Sequence, residues 1–210
     1  MSAEAAAAPV AIHRALAPEE AARADFYALV ARLLQRAPDA MLLAELAAAP
    51  ALPADGDRAL ADAWRELVAA SAAAQPAGVA VEYDELFAGV GKAPVSIYAG
   101  FYSGAPAVDH PRVRIRGDLA QLGLAPQAGT EPEDHFGVIF DAMRVLAAGG
   151  AGRGPASLAE QRRFFERHVM PAAPRFLAAV GAARQSHYYR RVAALAAAFV
   201  ALETESFQLD

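Results

Sequence analysis

Five histidines, 24 acidic residues and no cysteine bound the chemistry open to this chain of 210 residues. Without cysteine there is no thiol nucleophile, no disulfide framework, no Cys-ligated zinc and no iron–sulfur cluster. Two histidines follow an aspartate, in Asp109-His110 and Asp134-His135, and Glu131 stands one helical turn before His135. Such pairs would suit an all-α metal-dependent hydrolase built on Asp109, His110, Asp134 and His135. A metal site needs three or more converging ligands, however, and the spacing gives no convergence. Gly89-Val90-Gly91-Lys92 lacks the spacing and the Ser/Thr of a phosphate loop, and neither a Gly-x-Ser-x-Gly elbow nor an HExxH zinc motif occurs. No catalytic residue, metal ligand or cofactor is therefore assigned.

Two segments carry side chains suited to binding. Leu86, Phe87, Pro94, Ile97, Tyr98, Phe101 and Tyr102 crowd the stretch around Gly89 to Pro106, too apolar for a solvated loop. They either fold back as core or floor a groove for an apolar peptide. Acids precede both this loop (Glu82, Asp84, Glu85) and a later helix (Glu131, Glu133, Asp134). An apolar floor with an acidic rim suits a ligand with basic residues beside an apolar stretch. In the later segment Thr130-Glu131-Pro132-Glu133 reads as a capping box, so Asp134 and His135 fall in the first helical turn. There Asp134 either serves the helix dipole or, with His135, lines one side of the groove.

The elements that must hold these residues are helices. Pro18-Glu19-Glu20 opens the first, and Phe26, Leu29, Val30, Leu33 and Leu34 recur along it at helical spacing until Pro38. A short helix holds Met41 to Leu46, and another runs from about Asp55 to Ala74. Ala77-Gly78 reads as a turn before a helix over Val79 to Ala88. Asp109 to Leu122 is the next, with Gly123 as its C-cap. The Thr130 helix carries Phe136, Ile139, Phe140, Met143 and Leu146 on one face and ends at Gly149-Gly150, before a flexible connection over 151–154. Three more are expected: about Pro155 to Val169, from Pro171 or Pro174, and about Ser186 to Glu203. The pattern predicts an all-α fold of eight or nine helices. Residues 1–15 are expected to be a flexible tail, and 16–210 a single globular domain.

Composition narrows the partners. The formal net charge of −5, with one lysine (Lys92), argues against a nucleic-acid surface, which needs clustered cations. The longest apolar run, Ala193 to Leu202, is too short to span a bilayer. The start Met1-Ser2-Ala3-Glu4 has no basic n-region, so a cytoplasmic protein is expected. The 57 alanines and 18 arginines reflect a compositional bias rather than function.

The stretch from Glu82-Tyr83-Asp84-Glu85-Leu86-Phe87 through Gly89, Gly91 and Pro94 to Tyr98 resembles the E-Y-x-x-L-F-x-G-P-G-x-x-P-x-x-P-[YW] segment of the TorD/DmsD/NarJ-type chaperones. Glu131-Pro132-Glu133-Asp134-His135-Phe136 is similar to their E-P-x-D-H-[LF] motif. Gln161 to His168 resembles their Q-x-x-F-x-x-x-H segment, and His187-Tyr188-Tyr189 with Ala193-Ala194-Leu195 their closing helix. Val90 and Ile97 depart from the pattern, standing where it has proline. The resemblance implies an all-helical, TorD-like chaperone, not an enzyme. It implies binding of the twin-arginine signal peptide or the apo form of a molybdoenzyme, such as an S- or N-oxide reductase or a formate dehydrogenase, until its cofactor is inserted. It implies peptide contacts at Tyr83, Leu86, Phe87, Pro94, Tyr98, Tyr102, Glu133, Asp134 and His135, a monomer or weak homodimer, and no stable membrane insertion. A helical adaptor for a folded partner is the remaining alternative.

Overall fold

The computed structural model describes residues 16–53, 55–88, 93–103, 111–124, 131–150, 152 and 154–209. The chain runs as α1 (Pro18–Gln35), α2 (Ala40–Ala47), α3 (Arg58–Ala73), α4 (Pro76–Tyr83), α5 (Pro111–Gln121), α6 (Phe136–Ala148), α7 (Leu158–Phe164), α8 (Ala173–Ala182) and α9 (Tyr188–Leu209). Two of them pass directly into a single π-helical turn, α4 over Asp84–Ala88 and α7 over Phe165–Val169. The described residues form no β-strand. The fold is a single all-α domain, as the helical spacing requires. The expected 1–15 tail, Thr130 and the Asp109-His110 pair lie outside the described residues.

Local chemistry explains most helix ends. Asp39 and Asp57 accept from the backbone N–H groups of Leu42 and Leu60 at 2.9 and 2.7 Å. Pro18 and Pro76 sit in the first turns of α1 and α4, where a missing N–H costs nothing. Pro76 also corrects the turn expected at Ala77-Gly78, since both residues lie inside α4. A closed capping box occurs at Ser157 and Glu160, so the helix expected from Pro155 starts at Leu158. α5 ends in a Schellman arrangement: Gly123 has φ 69°, its N–H donates to Ala120 O, and the N–H of Leu124 donates to Leu119 O.

The capping box expected at Thr130 is corrected. α6 begins only at Phe136, preceded by a turn at Glu133-Asp134, and Glu131 and Pro132 are not helical. The Glu133 carboxylate, which that box would need, is held instead by Arg112 and Arg116 of α5.

α1 and α6 pack along their lengths, Tyr27, Val30, Leu33 and Leu34 against the face of Phe136, Ile139, Phe140 and Met143. α9 lies on α3 and α8 and extends six residues past the expected Glu203. Its Glu203 is 2% exposed and accepts from both Arg23 (Nε and Nη2, each 2.8 Å) and the Tyr27 hydroxyl (2.6 Å), tying α9 to α1. By length and composition α9 is long and apolar enough to cross a membrane, with a mean hydropathy of 1.3 over its best window. Its apolar face of Tyr189, Val192, Leu195, Phe199 and Phe207 is spent on the core.

Candidate functional site

The two segments singled out by sequence meet. Tyr98 and His135 form an isolated antiparallel bridge: the N–H of Ala99 donates to Asp134 O at 2.8 Å, and that of Phe136 to Ile97 O at 3.0 Å. This places residues 97–99 across the start of α6. Val95, Ile97 and Ala99 alternate inward, and Ser96, Tyr98 and Gly100 lie at the surface side. The Tyr102 hydroxyl donates to Ser96 O at 2.9 Å and closes the loop on itself.

Much of the expected apolar floor is core. Leu86 is wholly buried. Phe87 is half-buried, with ring centres of Tyr83 and Tyr189 at 5.1 and 5.4 Å. Tyr83 donates its hydroxyl to Leu34 O, and burial pushes it up to about 12. Tyr102 packs on Phe136 and Phe176, and burial pushes it also up to about 12. Those two phenylalanines stack at 4.2 Å beneath it. What faces outward is Pro94, part of Tyr98 and Phe101, the last 67% exposed.

The acids divide in the same way. Glu82, read as rim, is buried and accepts from the N–H groups of His187, Tyr188 and Tyr189 at 2.8, 3.0 and 2.8 Å. It caps α9 from a distance, satisfying donors the first turn cannot satisfy itself. Glu85 lines a separate cleft with Glu82, Arg184 and His187. Glu133 accepts from Arg112 Nε (2.8 Å) and from Arg116 Nε and Nη2 (2.5 and 3.1 Å). The Arg116 guanidinium, ahead of Arg112, holds its carboxyl down at about 2. Glu131 is exposed and accepts from the Tyr98 hydroxyl at 3.3 Å. Burial foremost, with the Glu131 charge, raises the Tyr98 phenol above its usual range.

Asp134 and His135 precede α6 rather than sitting within it. His135 is its N-cap: Nδ1 accepts from the N–H of Gly137 at 3.0 Å, so Nε2 carries the proton of the neutral ring. Burial lowers its pKa against the pull of Glu131 and Asp134. The Tyr98 ring meets the imidazole edge-on at 5.5 Å. A Cβ on Gly137 would lie 2.6 Å from Gln35 Cγ and 3.0 Å from His135 Nδ1, so any larger residue there would displace one of these side chains. Asp134 is 4% exposed, and among the described residues no hydrogen bond reaches its carboxylate.

Other motif residues serve the fold. Gln161 donates to Ala156 O at 3.0 Å, and His168 Nε2 lies 2.7 Å from Asp118 Oδ2, pinning α5 to the π turn after α7. The His168–Asp118 contact spans 50 residues and has no local sequence signal. Among the described residues no group of three histidines and acids converges as a metal site would require.

The two segments thus meet in one place, with Tyr98 and Phe101 partly or largely exposed and Asp134 just beneath them. Residues 54–178, more than half the chain and both of these segments, match the family described as nitrate reductase delta subunit. The chain belongs to that family, whose members are molybdoenzyme maturation chaperones rather than enzymes. No curated protein matches it.

Proposed function

We propose that this chaperone binds the twin-arginine signal peptide, or the apoprotein, of one molybdenum-containing oxidoreductase in the cytoplasm and holds it until the cofactor is inserted. An S- or N-oxide reductase or a formate dehydrogenase is the proposed client class. The observation that carries the reading is the Asp134 carboxylate. Asp134 is 4% exposed and its carboxylate accepts no hydrogen bond among the described residues, so an incoming guanidinium would supply it with a donor. The outward faces of Pro94, Tyr98 and Phe101 beside it suit the apolar stretch next to such an arginine. Glu131 and Asp84, both exposed, add negative potential around Tyr83 and Tyr98. His135 positions this arrangement by capping α6, while Tyr102, Phe87 and Tyr83 support the loop from below. Glu133 and Leu86 act through the fold, not by contact.

Titration of a synthetic peptide, an arginine pair followed by about fifteen apolar residues, tests this. Affinity should fall as salt rises from 0.05 to about 0.5 M, because exposed charges are screened over about 10 Å at 0.1 M. Replacing both arginines of the peptide by alanine should flatten that response. A salt-independent affinity for the unaltered peptide would remove the exposed acids Glu131 and Asp84 from the site.

A further inference from the structure

The solvent face of α9 is unusual. The exposed side of α3 carries Arg58, Asp62, Arg65 and Glu66, as an outward helix face should. On α9 the exposed positions Ala194, Ala197 and Ala201 are bare, bounded by Arg190 at one end and Glu205 at the other. With α8 this face forms an apolar groove of about 530 Å³, deepened by Met170, Pro174 and Leu177 and left open at Gly181, where a Cβ would meet nothing within 4 Å.

Fifteen residues, about 22 Å of helix, separate Arg190 from Glu205, so they cannot pair within one chain. Among the described residues neither has an ion-pair partner. Arg190 is held at the head of the groove, Nε donating to Gly181 O at 3.1 Å and Nη2 to Ala183 O at 3.3 Å. An antiparallel copy of α9 centred between Ala197 and Ala198 sets Arg190 opposite Glu205 twice. The same register puts Ala194 opposite Ala201, with no large side chain to keep the backbones apart. We propose that α9 and α8 form the face of a two-fold homodimer in which each α9 lies in the groove of the other copy. A two-fold axis requires this self-complementarity, and the sequence meets it in one register.

Light scattering coupled to gel filtration, at about 1–200 µM protein, tests the proposal. The wild type should shift from monomer to dimer over that range. Arg190→Glu alone and Glu205→Arg alone should each weaken dimerisation about tenfold or more, since like charges then face each other at both ends. An equimolar mixture of the two variants should restore it, because every carboxylate again meets a cation. Ala197→Arg should give a monomer of unchanged helicity. A wild type that stays monomeric throughout, or a mixture no better than its components, overturns the proposal. So does a monomer whose groove takes up the arginine-pair peptide and loses it with Ala197→Arg.

Discussion

At the scale of single residues the same side-chain type has opposite fates a few positions apart. Glu131 is exposed, Glu133 is clasped by two arginines, and Asp134 is buried with no donor to its carboxylate among the described residues. The spacing E-P-E-D cannot distinguish them, because the arginines that decide come from α5, 17 and 21 residues away. The pair at Glu133 has a pH signature. Its carboxyl is held at about 2 in the fold, against 4.5 ordinarily. The unfolded chain therefore takes up the proton first, so the stabilisation is complete above about pH 4.5 and is lost as pH falls toward 2. Glu133→Gln should lower Tm by on the order of 2–4 °C at pH 7, with the difference shrinking below pH 4.5. Melting curves of both proteins from pH 2.5 to 7 check this. A pH-independent gap would mean that Glu133 works by packing alone.

At the scale of elements the helices were legible because apolar residues recur at helical spacing and prolines or glycines stop them. α1, α2, α3 and α8 lie where Pro18, Pro38, Pro50 and Pro174 put them. The start of α6 was misplaced by a local capping pattern that lost its Glu133 to tertiary ion pairs. α9 starts two residues past the expected Ser186, but its cap has no local pattern, because Glu82 stands 105 residues before His187. Glu82 is accordingly a keystone of α9 and lies outside the proposed client site. Glu82→Ala leaves three N–H groups at that helix start without their acceptor, two of them buried, and should cost about 2–4 kcal/mol. Urea denaturation should show this loss, and Glu82→Gln should recover part of it. A change under about 0.5 kcal/mol in Glu82→Ala would show that another acceptor takes over.

At the scale of the whole molecule, the sequence singles out the two segments that meet at the proposed site but not which of their side chains reach the surface. Leu86, Phe87 and Tyr102 looked like pocket residues because apolar groups in a glycine-rich loop have no local reason to be buried. The Tyr98–His135 bridge supplies that reason by laying the loop over Phe136 and Phe176, and leaves Tyr98 in front. The account therefore rests on Tyr98 and Asp134 as client contacts, with Glu82 and Glu133 internal to the fold. Isothermal titration of the arginine-pair peptide into wild type, Tyr98→Ala and Asp134→Asn tests this most directly, with circular dichroism on the same samples. Burying one large side chain contributes about 1.5–3 kcal/mol, so Tyr98→Ala should weaken binding about ten- to a hundredfold at unchanged helicity. Asp134→Asn should weaken it too without lowering Tm. Wild-type affinity in both variants, or a loss that merely follows a lowered Tm, would contradict the account.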